Sequence, residues 1–351
     1  MKNITLSANE KLTLIGNLAT LLSAGIPIME AVDSILADSK GSAKIVLTAL
    51  KSDLTQGLPI SATFAKFPKS FDPVIVNLVK AAEEAGNLET TLKDLTVTIE
   101  KDIEFAGKIK AALVYPVLVV IVFMAVILVI LTFVVPRIAS VFTKLKITLP
   151  LATKILIATS NIFLSYTPFI IVGFLTLAVG LILLYKTKKK LFVRFLTSLP
   201  LMSKLARQID LTRFTRSMAL LLTSGIPITE AIALSAEVIY KKEIAKIVEN
   251  CQQGVAAGKK FSEGLKTNKK IIPPMMILVS EAGERSGTLE KSMADLAAHF
   301  DNQVAESLKT LATLFEPILL IIVGLLVGGV MLAIISPIYG LIGQISPRAG
   351  F

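Results

Sequence analysis

Along most of the chain apolar residues recur at helical spacing, in amphipathic segments punctuated by glycine and proline, with no period-two alternation and no Asn-Gly hairpin signal. In three places the polar face disappears. The uncharged run from Ala111 to Val135 is about 37 Å long as a helix, against a hydrocarbon core of roughly 30 Å. The run from Pro317 to Ile335 is again long enough to span, while Phe169–Tyr185 is marginal unless Ile162–Pro168 lengthens it. The pattern predicts an all-α membrane protein with three transmembrane helices joined to helical bundles.

The chain also repeats itself. LLSAGIPIMEA (Leu21–Ala31) returns as LLTSGIPITEA (Leu221–Ala231) at a spacing of 200. A one-residue insertion then shifts the register to 201, and it holds. Gly57 and Ser61 pair with Gly258 and Ser262, Pro73 with Pro274, EEAGNLE (Glu83–Glu89) with GERSGTLE (Gly283–Glu290), and LVYPVLVVI (Leu113–Ile121) with LFEPILLII (Leu314–Ile322). Two copies of one unit follow, each including a membrane anchor. Leu12–Gly25 has the look of a signal-peptide core, but its counterpart recurs in mid-chain, so it reads as a buried helix face.

Within each copy the punctuation predicts where helices stop and start. Gly25, Gly86, Gly225 and Gly287 are expected at helix ends, since glycine accepts positive φ, and Pro27 and Pro227 at the next helix start. Glu30 and Glu230 then fall in a first turn, near the positive end of the helix dipole.

Composition agrees with membrane residence: 53% hydrophobic, 18% charged and a mean hydropathy of +0.72. Lys186, Lys188, Lys189, Lys190 and Arg194 crowd the C-terminal side of the second span, which places that side in the cytoplasm. The expected layout is a first cytoplasmic bundle at 1–110 and spans at 111–135, 162–185 and 313–342. A second cytoplasmic bundle occupies 186–312, and 136–161 and the tail 343–351 are extracytoplasmic. Cys251 is the single cysteine, so no intramolecular disulfide forms.

The doubled SGIP turn, GERSGTLE, the Phe-Glu-Pro entry to the last span and the three-span layout resemble the GspF/PilC family, inner-membrane platform proteins of type II secretion and type IV pilus machines. The resemblance covers nearly the whole chain. It implies six-helix bundles, no bond-making chemistry, an inner-membrane location and likeness to proteins that join a hexameric cytoplasmic ATPase to pilins or pseudopilins. Other inner-membrane assembly proteins and a second copy of the chain are further implied partners. Many members carry a cytoplasmic extension ahead of the first unit, whereas here the first helix is expected close to Met1. EEAGN in the first copy departs from GERSG, which makes the second copy the better candidate for a partner contact. Glu30, Glu230, Glu284, Arg285 and Glu316 are the candidate contact residues.

The residue inventory independently disfavours catalysis and cofactors. His299 and Cys251 are each unique, so no metal cluster or Cys-His pair is expected, and Asp295 with His299, one helical turn apart, reads as a solvated or interhelical polar pair rather than a metal site. GVAAGKK at Gly254 has three residues between its glycines where a phosphate loop needs four, and lysine where a hydroxyl should follow. A transporter or channel subunit is the alternative class, as is a scaffold or receptor without a motor. Against transport, no ionisable group lies within the three runs. Glu316, at the edge of the third, is either an interfacial solvated carboxylate or a partner contact. Gly324 and Gly328 permit close helix approach, within the chain or between copies.

Charge is uneven. Residues 1–110 hold 12 basic and 13 acidic side chains, and residues 186–316 hold 20 and 13. The basic excess of the second copy, Arg207, Arg213 and Arg216 among it, is either solvated or matched to an acidic partner surface. Nucleic acid is not expected as a partner, with 6% aromatic residues and no binding motif.

Overall fold

A computed structural model describes residues 4–144, 200–268 and 271–345, with isolated helical positions at 154, 158 and 162. Most of the expected extracytoplasmic segment 136–161, the second span 162–185 and most of the tail 343–351 lie outside the described residues. Within them the chain is helical, with no strand.

The first copy contributes α1 (Ala8–Ser23), α2 (Ile28–Asp38), α3 (Gly41–Thr55), α4 (Ile60–Ala65), α5 (Pro73–Ala85) and α6 (Leu88–Val129). A π-helical turn, Ile130–Val134, links α6 to α7 (Val135–Lys144). The turn widens just ahead of Pro136, which has no N–H to donate in α register. The second copy gives α8 (Pro200–Thr223), α9 (Ile228–Ala236), α10 (Lys242–Ala256), α11 (Phe261–Lys266), α12 (Pro274–Ser286) and α13 (Leu289–Ile345). Each copy is therefore a run of six helices whose sixth continues into the apolar stretch. The inserted residue lies between α9 and α10: α9 ends earlier than α2 and a longer link, Glu237–Lys241, replaces Ser39–Lys40.

Hydrogen bonding explains the SGIP turn. At the end of α1 the Gly25 N–H bonds the Leu22 carbonyl at 2.9 Å and the Ile26 N–H bonds that of Leu21 at 3.0 Å, with Gly25 at φ +79°. This is a Schellman stop, and the isoleucine after the glycine supplies its apolar contact. The end of α8 repeats it with Gly225 at φ +80°. Pro27 and Pro227 occupy the extended position just before α2 and α9, one residue ahead of the first helical turn. Gly86 and Gly287 take φ +72° and +71°. At the start of α1, Ser7 and Glu10 form a reciprocal capping box.

Among the described residues two compact units emerge, one within 4–109 and 200–307 and the other within 110–144 and 308–345. In the first, one apolar core runs through both copies. The Phe64 and Phe71 rings stack at 3.9 Å in the first copy, and Phe214 meets Phe261 at 6.3 Å in the second. Helix α5 of the first copy packs on α8 and α9 of the second.

In the second unit two helical stretches are long and apolar enough to cross a membrane. Their most apolar windows are only 6% and 0% buried, with Ile121 62% and Leu320 66% exposed. A core helix of a water-soluble protein would cover that surface. A helix satisfies its own backbone in lipid, and this one offers lipid an apolar exterior.

Replacing Gly225 by Val puts a β-branched residue at φ +80° and should cost about 1–3 kcal/mol. Gly107→Ala, in a helical site with open space, should instead stabilise by about 0.5–1 kcal/mol. Unfolding midpoints of the full chain in detergent, followed by circular dichroism, check the opposite signs.

Candidate functional site

The repeated GERSG-type motif has a structural employment that spacing alone did not reveal. Glu284, on α12, accepts from the Phe261 N–H at 2.5 Å and the Ser262 N–H at 3.0 Å, the first two donors of α11. Glu83 does the same for α4, taking Ile60 N–H at 2.5 Å, Ser61 N–H at 3.1 Å and the Ser61 hydroxyl at 2.6 Å. A short helix leaves its first N–H groups without partners, and a carboxylate from a distant helix supplies charge-assisted ones. The carboxylate of Glu284 is thus engaged inside the bundle. Arg285 beside it is exposed and bonds Glu281 at 2.5 Å, which also holds Lys266 at 2.8 Å. Those two cations, Lys266 first, keep the Glu281 carboxyl below its ordinary range. Between them, Gly283 is required for close packing: a Cβ there would meet the Ser292 Cβ at 2.7 Å.

The two copies meet around Arg216. This side chain, on α8, is 10% exposed, and its guanidinium bonds Asp102 of α6 and reaches Asp301 of α13 at 3.1 Å. It also lies 5.5 Å from the Phe105 ring centre. One cation therefore ties three helices from both copies, and it is not available to an external acidic surface. Arg213 is likewise occupied, stacked 5.0 Å over Tyr240. The counterpart of Arg216 in the first copy is Gly16, which packs on Thr96.

Polar groups elsewhere differ between the copies. In the first, buried Asp53 accepts from the Thr63 hydroxyl at 2.7 Å and from Lys66 at 2.7 Å. Those hydrogen bonds, Lys66 first, hold its carboxyl below the usual range. At the matching positions the second copy has Gly254, Gly264 and Thr267, and Gly264 sits against Cys251 so closely that a Cβ on it would reach Cys251 Sγ at 2.7 Å. Burial pushes the Cys251 thiol up to about 11. Asp210, buried on α8, accepts the Tyr240 and Lys241 N–H groups at 3.1 and 2.8 Å, closing the longer α9–α10 link. Burial raises its carboxyl in spite of those bonds. His299 bonds Gln303 at 3.0 Å rather than Asp295, and Gln208 of α8 donates to Gln303 at 3.4 Å and accepts from the Ser307 hydroxyl at 2.8 Å, bridging α8 and α13.

The remaining candidate residues are dispersed. Glu30 and Glu230 are exposed in the first turns of α2 and α9. Glu316 is exposed on α13, and Cβ atoms built on Gly324 and Gly328 meet nothing within 4 Å. Among the described residues no group of three His, Cys, Asp or Glu side chains comes close enough to share a metal ion.

A duplicated six-helix unit, joined through a shared core and carrying membrane-length helices, defines a class of membrane-anchored helical repeat proteins. The sequence model described as "Type II secretion system (T2SS), protein F" matches residues 14–136 and again 214–337, and the chain belongs to that family. It is 33% identical over 341 residues to type II secretion system protein F of Pseudomonas aeruginosa, covering 96% of this chain and 84% of the relative. Type IV pilus assembly protein PilC of Thermus thermophilus is 31% identical over 337 residues, with 94% and 82% covered. The type 4 fimbrial assembly protein PilC of Pseudomonas putida is 30% identical over 328 residues, with 92% and 82% covered.

Asp53 sets a pH dependence of known sign. Its folded carboxyl lies below its unfolded value near 4, so its stabilisation is complete above that pH and is lost as pH falls through the folded value. Asp53→Asn should cost about 1–2 kcal/mol at pH 7 and progressively less in acid, read from melts of wild type and variant between pH 7 and pH 3.

Proposed function

We propose that the chain is a non-enzymatic platform protein of the inner (cytoplasmic) membrane that couples a hexameric cytoplasmic assembly ATPase to pilin or pseudopilin subunits. The names borne by its relatives, pilus assembly protein and secretion system protein, support the setting. The observation that carries the coupling role is the shared core of the two copies, with each sixth helix continuing from its bundle into a membrane-length apolar stretch. Motion imposed on the bundles by a bound motor would pass along those helices.

In this reading residues 1–110 and 186–312 face the cytoplasm, 111–135, 162–185 and 313–342 span, and 136–161 and 343–351 lie outside. Gly25, Pro27, Gly86, Gly225, Pro227 and Gly287 set the bundle geometry. Exposed Glu30, Glu230 and Arg285 are the motor-facing contacts, Glu284 positions the helix beside Arg285, and Glu316 meets pilin at the membrane edge. Gly324 and Gly328 give a close-packing seam for another span.

The test is binding of the host's assembly ATPase to the full chain in nanodiscs, with ATP analogue, with ADP and without nucleotide. Saturable binding that depends on the nucleotide is expected, reduced about tenfold by Glu230→Lys or Arg285→Glu, with stability lowered by no more than about 1 kcal/mol. Absence of binding by folded wild-type protein in every nucleotide state would remove the motor from the account.

A further inference from the structure

Helices α5 and α12 are the same element in the two copies, yet only one has its outer face covered. On α5 the positions Val74, Asn77, Leu78 and Ala81 are buried or half-buried, and this helix packs on α8 and α9 of the second copy. The matching positions on α12 are Met275, Leu278, Val279 and Ala282, spaced i, i+3, i+4, i+7 along one helix face. Of these Met275 is 46% and Leu278 64% exposed. The receiving side shows the complementary difference. Thr212, Leu221 and Ile226 of the second copy are buried, whereas Leu12, Leu21 and Ile26 at the same places on the first copy are only half-buried.

If the two copies were related by a two-fold axis, α12 would pack on α1 and α2 as α5 packs on α8 and α9. It makes no comparable contact with either. The internal joint is therefore heterologous, with one surface of each kind used and one of each kind left over. We infer that the apolar stripe of α12 is seated by the α1–α2 face of a second copy of this chain, repeating between molecules the joint that exists within one. The occupant follows from continuity with that internal joint, because the same helices present the same two faces. Gly16 stands where Arg216 supplies the ion pairs inside the molecule. The intermolecular joint is thus apolar without a clamp, and it is weaker than the internal one and dependent on protein concentration. Head-to-tail use of the two faces builds a ring if the rotation closes and an open array if it does not.

The experiment uses the full chain in detergent or nanodiscs with Cys251→Ser as background and two differently tagged populations. One carries Leu278→Cys, the other Leu12→Cys or Ile26→Cys, and the mixture is oxidised. Disulfide-linked pairs of unlike tags are expected for at least one combination, and a chain carrying both cysteines should give a ladder of higher species. In parallel, Leu278→Glu should lower co-capture of a second tagged copy at least about tenfold with the unfolding midpoint unchanged, since the side chain is exposed. Leu278–Leu278 pairs as the main product, no unlike pairs in either combination, or co-capture unaffected by Leu278→Glu would each overturn the inference. Neither readout involves a motor or a pilin, so its failure is separate from failure of the coupling role.

Discussion

The joint between the two copies depends on one buried cation. Arg216 leaves α8, enters the space between the copies and meets a carboxylate from each, Asp102 on α6 and Asp301 on α13. Arginine suits the place because its planar fork stays charged and can serve two acceptors at once. Taken away from water, such a charge is costly unless paired, so the arrangement constrains geometry more than it adds net stability. The two acceptors lie on the sixth helices, the elements that continue into the apolar stretches. Whatever moves one bundle relative to the other must break or carry this contact.

Around that joint the copies have diverged in a consistent direction. The first has a polar triad at Asp53, Thr63 and Lys66, where the second has Gly254, Gly264 and Thr267, with Gly264 packed on Cys251. The second has Arg216, the buried Asp210 and a longer link to α10, none of which the first has. A duplication that remained symmetric would offer identical faces everywhere. Here the first copy has its α5 face covered, whereas the second supplies the Arg216 clamp and keeps the α12 stripe uncovered.

Much of the fold was legible in the sequence because helix stops are local. Glycine at positive φ followed by an apolar residue writes the Schellman ends at Gly25 and Gly225, and the register of the repeat writes the helix order. The caps made by Glu83 and Glu284 were not legible as such, since each crosses 23 residues to the first N–H it takes and belongs to tertiary structure. A signal was nevertheless present: Ser61 and Ser262 keep the same 201-residue spacing as Glu83 and Glu284. Arg216 left no signal of this kind. Its counterpart is Gly16, and an arginine in a basic stretch reads as solvated until the carboxylate of another copy is seen beside it. His299 is drawn away from Asp295 for a related reason, because Gln303 on the same helix face, held by Gln208 of α8, takes the imidazole.

The two copies form one mechanical body and are not independent beads on a membrane. Amide hydrogen exchange on the full chain in nanodiscs tests it most directly, by comparing α5 with α8 in wild type and in Arg216→Met. A single body predicts that the slowest amides of α5 and α8 share one opening free energy in wild type and lose protection together in the variant. Unequal opening energies in wild type, with α5 untouched by Arg216→Met, would contradict it.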